Sequence, residues 1–177
     1  MKIKSMATAA VMTALTCIFG PLSIPIGPIP FSLAPLCIMI SVYVLGMKRG
    51  TLATALYLLI GLTGIPVFSG FTGGPAKLFG PTGGYLVGYI LLAAIAGYFI
   101  ERFPGRYLRQ FAGMSLGMAV LYALGTLWLA YSAGMTAGAA FAAGVAPFLL
   151  PDLLKIALSI AVGAQVRQRL LAAGVAV

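Results

Sequence analysis

The 177-residue chain is 62% hydrophobic and 7% charged, with a mean hydropathy of +1.10, so it lacks the polar residues needed to cover a water-soluble domain and reads as an integral membrane protein. Eleven Lys/Arg against Glu101 and Asp152 give a net charge of +9, but the positives are scattered rather than patched, which argues for a lipid bilayer as the partner and against nucleic acid. With no histidine and two carboxylates, a histidine metal site, a Ser-His-Asp triad and a paired-carboxylate site are excluded.

In chain order, Lys2 and Lys4 precede an apolar run over 3–19 that no small-x-small cleavage site follows. It is expected to be an uncleaved first span with its N-terminus inside. Pro21, Pro25, Pro28 and Pro30 mark an outer loop over 21–30. A second span is expected over 31–47, a basic cytoplasmic turn at Lys48-Arg49-Gly50, and a third span over 51–66. Cys17 and Cys37 sit in these apolar runs without a CxxC spacing and read as buried thiols.

Residues 61–86 are rich in glycine and hold Pro66, Pro75 and Pro81, so no helix is expected to run through them. Irregular backbone near lipid depth is tolerated only where it is buried in protein or lines a cavity, so this segment is expected to roof a binding site. Phe68, Phe71, Phe79 and Tyr85 fit an apolar pocket better than a solvated loop. A fourth span over 84–100 leads to Arg102, Arg106 and Arg109 around Pro104-Gly105, a cytoplasmic link.

The apolar stretch 111–166 accommodates two spans, over 111–131 and 146–166, with an interfacial Gly/Ala-rich break near 132–144. Arg167 and Arg169 follow. Six transmembrane helices forming one domain, with both termini cytoplasmic, place nine of the eleven positives inside. Lys77 and Lys155 then fall on the outer side.

Asp152 and Lys155 lie at i, i+3 on one face of the sixth span, and intramembrane charges by default mark a functional site or a structural ion pair. A ligand carrying both donors and acceptors suits the pair, Asp152 accepting from N–H groups and Lys155 donating to a carbonyl or carboxylate. Lys155 and Ser159, at i, i+4, also permit a Ser–Lys hydrolytic dyad. The segment from Gly73 to Leu78 lacks the Gly-Lys-Ser/Thr ending of a P-loop, so an ATPase, if one drives the protein, is a separate subunit.

Three strings carry a family likeness. Gly64-Ile65-Pro66-Val67-Phe68-Ser69-Gly70, Gly73-Gly74 and Leu78-Phe79-Gly80-Pro81-Thr82-Gly83-Gly84-Tyr85-Leu86 resemble the signature of the BioY family, the biotin-specific substrate-binding components of energy-coupling-factor (ECF) transporters. Ile29-Pro30-Phe31-Ser32-Leu33 with Leu45-Gly46-Met47-Lys48-Arg49-Gly50, and Pro147-Phe148-Leu149-Leu150-Pro151-Asp152-Leu153-Leu154-Lys155, look like further elements of that family. One departure is Ala34, where many members carry Gln.

The resemblance implies a six-helix bundle in the bacterial cytoplasmic membrane that binds biotin at its outer side, under the loop between helices three and four. It implies a non-enzymatic role without cofactors, a transmembrane coupling subunit and two ATPase subunits as partners. Biotin's ureido group would meet Asp152 and Lys155, its apolar ring Phe68, Phe71 and Tyr85. Gly73 and Gly74 would let backbone approach it, and Lys77 could meet its carboxylate or be solvated. Ala7, Ala10 and Ala14 share one face of the first helix, and the resemblance makes that face the dock for the coupling subunit. Thiamine or pantothenate remain alternative vitamins.

Overall fold

Apolar runs this long satisfy their own backbone groups as helices, and the computed structural model, which describes residues 3–26 and 28–174, is all-helical apart from one hairpin. Lys2, counted among the inward-facing positives, lies outside the described residues. The helices are α1 (Ile3–Phe19), α2 (Ala34–Leu62), α3 (Pro75–Phe79), α4 (Gly83–Arg102), α5 (Tyr107–Ala133), α6 (Ala137–Gly144) and α7 (Leu149–Ala172). Of these, α2, α4, α5 and α7 are long and apolar enough to cross a membrane, and the apolar α1 is shorter.

Helix α2 is interrupted within its length. Gly46 has φ 79° and ψ 177°, a region open essentially to glycine alone. A Cβ on Gly50 would lie 2.6 Å from Val42 Cα, a proximity that eight residues of straight helix do not allow. The chain therefore reverses at Gly46, ahead of the basic turn expected at 48–50, and α2 is two antiparallel arms. Glu101 of α4 holds the turn by accepting the Met47 amide at 2.7 Å.

One local expectation is corrected and one is refined. The proline-rich stretch before α2 is an antiparallel hairpin, β1 (Ser23–Ile26) paired with β2 (Ile29–Ser32), so α2 starts at Ala34. Pro25 and Pro30 oppose one another, which puts both missing amides where the ladder needs none. The glycine-rich segment does hold one helix, the five-residue α3. Pro75 opens it at a first-turn position where its missing N–H is no loss.

Helix α5 ends on Gly134 in the left-handed conformation, and Thr136 caps α6 by accepting from Ala139 N. The break expected at 132–144 is thus largely a short helix. In the packed bundle α2 touches α1, α4 and α7, and α5 touches α4, α6 and α7. The continuous core runs through α2, α4, α5 and the N-terminal part of α7, with Ile38, Met39, Leu92, Met114 and Ile156 fully enclosed.

Candidate ligand-binding site

Helix α7 begins beside the hairpin, and Asp152 occupies its first turn, where the exposed amides of a helix start favour a carboxylate. Asp152 and Lys155 are 6% and 5% exposed. Lys155 Nζ lies 2.7 Å from Asp152 Oδ1, donates to the Ser32 carbonyl at 2.7 Å, and sits 3.7 Å above the centre of the Phe31 ring. The Tyr122 hydroxyl of α5 donates to the other carboxylate oxygen, Oδ2. The pair is therefore buried with partners on both sides, the condition under which desolvated charges persist.

Ser32 is fixed in turn. Its hydroxyl donates to the Gly20 carbonyl at 2.8 Å and accepts the Ala34 amide at 3.0 Å, so the β2–α2 junction aims the Ser32 carbonyl at Lys155. Around this cluster lies a cavity of about 50 Å³ lined by Phe31 and Ser32 of the hairpin, Ser69 and Thr82 of the glycine-rich segment, Tyr85 and Tyr89 of α4, Met118 and Tyr122 of α5, and Phe148, Asp152 and Lys155. Phe31 and Phe148 are parallel to within 7°, with centroids 6.4 Å apart. Tyr85 donates to the Gly144 carbonyl at 3.2 Å, which pins the end of α6 to the cavity wall. Aromatic walls with one ion pair and three phenols suit a small ligand with an apolar body and a donor-acceptor head.

Of the residues selected from sequence, Asp152, Lys155 and Tyr85 meet at this cavity. Phe68, Phe71, Gly73, Gly74 and Lys77 are not among its lining residues. Phe68 is fully buried, edge-on to Tyr57 at 5.7 Å, in a notch where a Cβ on Gly61 would overlap its ring. Gly74 N donates to the Gly61 carbonyl at 2.7 Å, and Gly73 lies against the Ile65 carbonyl. Phe71 is exposed on a groove shared with Leu22 and Ile24. Lys77 is half-buried on α3, and desolvation lowers its ammonium pKa.

Sequence reasoning missed Tyr122, Phe31 and Phe148. One signal for Tyr122 existed: a phenol in mid-span must find an acceptor, and the chain offers only two carboxylates.

The Ser–Lys dyad is corrected. Ser159 donates to the Ile156 carbonyl at 2.8 Å, while the Lys155 ammonium is engaged by Asp152 and Ser32, so it is not placed as a base for that hydroxyl. Cys17 and Cys37 are free, partly buried thiols. On α1, Ala7, Ala10 and Ala14 all face outward, and Met12, Thr13 and Thr16 face the bundle.

Comparison with known proteins gives a consistent result. The BioY family profile matches residues 1–172. The probable biotin transporter BioY of Pyrococcus horikoshii is 39% identical over 160 residues, 90% of this chain and 94% of its own. The biotin transporter BioY of Thermotoga maritima is 40% identical over 153 residues, 86% and 89% of the respective chains. A crystal structure of the S-component for biotin from an ECF-type ABC transporter superposes with a TM-score of 0.88 at 28% identity, covering 94% of this chain and 92% of that one.

Proposed function

The chain belongs to the BioY family, and from that premise we infer that it binds biotin and takes it up as the substrate-binding component of an ECF-type ABC transporter. It is a transporter component and not an enzyme.

At the residue level the reading rests on one observation, the buried Asp152–Lys155 pair with Tyr122 on its far side. Biotin's ureido ring offers two N–H donors and one carbonyl. Asp152 accepts from the former, and Lys155 donates to the latter with the ammonium hydrogen that now faces Phe31. Phe31, Phe148 and Tyr85 take the apolar ring and chain. A cavity of about 50 Å³ holds little more than water, so a bicyclic ligand enters only as the lining moves apart. The parts able to move together are the hairpin and the glycine-rich segment, joined by the Gly70 amide on the Pro21 carbonyl at 3.0 Å. Phe68, Gly73 and Gly74 keep that segment in shape, and Phe71 and Lys77 on its surface turn toward the ligand and its carboxylate as it moves.

The bundle crosses the membrane six times, through α1, the two arms of α2, α4, α5 and α7, with both termini cytoplasmic and the glycine-rich segment over the site on the outer side. The distribution of Lys and Arg supports this orientation. The outward alanine face of α1 meets the transmembrane coupling subunit, and two ATPase subunits supply the energy, in a bacterial cytoplasmic membrane. Mass spectrometry of ligand released from protein purified in mild detergent tests the substrate. Biotin is the expected species; thiamine, pantothenate or no vitamin at all would overturn the assignment.

A further inference from the structure

At the far end of α7 from Asp152, a second cleft of about 420 Å³ lies between the α4–α5 connection and α7, with Tyr43, Glu101, Tyr107, Gln110, Arg167 and Gln168 as its polar lining. The cleft owes its charges to the reversal at Gly46. That reversal ends one helical arm and starts another, which leaves carbonyls and amides without intrahelical partners. Arg167 Nη1 donates to the Tyr43 carbonyl at 3.3 Å at the end of the first arm, and Glu101 accepts the Met47 amide at 2.7 Å at the start of the second. Gln110 braces the wall, accepting from the Tyr43 hydroxyl and donating to the Phe103 carbonyl at 2.9 Å.

A cation and an anion thus line one cleft, each held by backbone and not by the other. Among the described residues the ion pair formed is the distant Asp152–Lys155. Glu101 keeps its second carboxylate oxygen, and Arg167 most of its N–H fork, for something else. Two lining residues face outward, Leu171 at 54% and Tyr107 at 50% exposed, and Leu108, next to Tyr107 in the chain, is 83% exposed. An aromatic and two aliphatic side chains beside charged groups at the end of a bundle form a surface for the junction of headgroup and hydrocarbon.

The geometry points to a binding site for a phospholipid whose headgroup carries a phosphate and a primary ammonium, as in phosphatidylethanolamine. The phosphate lies on Arg167 and the Tyr107 hydroxyl, the ammonium donates to Glu101, and the acyl chains run along Leu108 and Leu171. A quaternary ammonium has no N–H for Glu101, and an anionic glycerol headgroup offers it no cation. Glu101 is therefore the discriminating group and Arg167 the general one. This assignment is independent of what binds at Asp152.

The test is native mass spectrometry of the full chain in detergent equilibrated with equal amounts of phosphatidylethanolamine, phosphatidylcholine and phosphatidylglycerol of the same acyl chains. Wild type is expected to retain phosphatidylethanolamine about five-fold over phosphatidylcholine, the discrimination of one accessible charged contact. Glu101→Gln keeps an acceptor for Met47 and is expected to bring that ratio to about one. Arg167→Gln is expected to lower retention of all three lipids, with Arg167→Lys restoring much of it. Biotin binding should be unchanged in all three variants. Equal retention of phosphatidylethanolamine and phosphatidylcholine by wild type, a preference for phosphatidylglycerol, or an unaltered ratio in Glu101→Gln would overturn the assignment. So would a cross-link from position 168 to the coupling subunit together with loss of the lipid on assembly, which would give the cleft to a protein partner.

Discussion

Lys155 donates to the Ser32 carbonyl at 2.7 Å across 123 positions of sequence, so the ammonium that pairs with Asp152 also fastens the hairpin to α7. Lys155→Ala is expected to abolish measurable biotin binding and to destabilise the fold by about 3–5 kcal/mol, because it strands the Asp152 carboxylate in a buried site. Asp152→Asn should weaken binding less. The double variant Asp152→Asn with Lys155→Met removes both charges and is expected to recover thermal stability without recovering affinity. Calorimetric titration and melting curves separate the two effects, and normal biotin affinity in the double variant would make the pair purely structural.

Tyr122 carries no charge, yet its hydroxyl is the partner of Asp152 Oδ2. Tyr122→Phe keeps the ring and removes one hydrogen bond to a charged group, worth about 1.5–3 kcal/mol. The expected outcome is a rise in the biotin Kd of roughly ten-fold or more with the fold intact. An unchanged Kd would place the ureido group away from this carboxylate.

Two glycines are expected to resist substitution for different reasons. At Gly46 an alanine would need a backbone conformation that costs about 1–3 kcal/mol and would push on the Glu101 carboxylate. At Gly61 an alanine would collide with the Phe68 ring, an overpacking cost of about 1–3 kcal/mol. Gly61→Ala should also loosen the glycine-rich segment, raising its hydrogen exchange, whereas Gly46→Ala should leave that segment alone. Exchange measured by mass spectrometry distinguishes them.

The single tryptophan of the chain is placed as a reporter. Trp128 Nε1 donates to the Gly80 carbonyl at 2.9 Å, tying α5 to the segment proposed to move. Biotin is expected to shift Trp128 emission, with an observed rate that levels off at high biotin concentration because a conformational step follows or precedes binding. A linear dependence approaching the diffusion limit, or no emission change at saturation, would count against movement of the segment.

The outward alanine face of α1 is the proposed dock for the coupling subunit. Ala10→Trp with Ala14→Trp is expected to leave biotin binding to the isolated protein near normal and to abolish co-purification with the coupling subunit and ATP-driven uptake. Intact complex formation would move the dock elsewhere.

What the sequence disclosed followed from contrast. Asp152 and Lys155 stood out as charges in an apolar run, and the ends of most helices followed from basic residues, glycine and proline. The missing pieces depended on facing and pairing. Of the four aromatics in the glycine-rich segment, Phe68 and Tyr85 are buried whereas Phe71 and Phe79 are exposed, and the notch at Gly61 that captures Phe68 and leaves Phe71 outside is a contact between segments. The prolines of 21–30 read as a loop because two opposed prolines can sit in a hairpin only when the pairing register suits both. Phe31 was quoted as part of a motif without any local sign that it would lie beneath the Lys155 ammonium.

The reversal at Gly46 also bears on how the protein enters the bilayer. The first arm of α2, Ala34–Leu45, is about 18 Å long at 1.5 Å per residue, so its crossing of a hydrocarbon core of about 30 Å is completed by the chain on either side of it. Alone it would be a poor stop-transfer sequence and would leave polar chain ends in lipid. Because the turn is a single glycine, the second arm can fold back on the first as soon as both have left the ribosome, and the two partition into the membrane as one helical hairpin. Insertion of this region is therefore a two-arm event, sensitive to a nascent chain halted before residue 62 has emerged from the ribosome and insensitive to one halted after it has emerged.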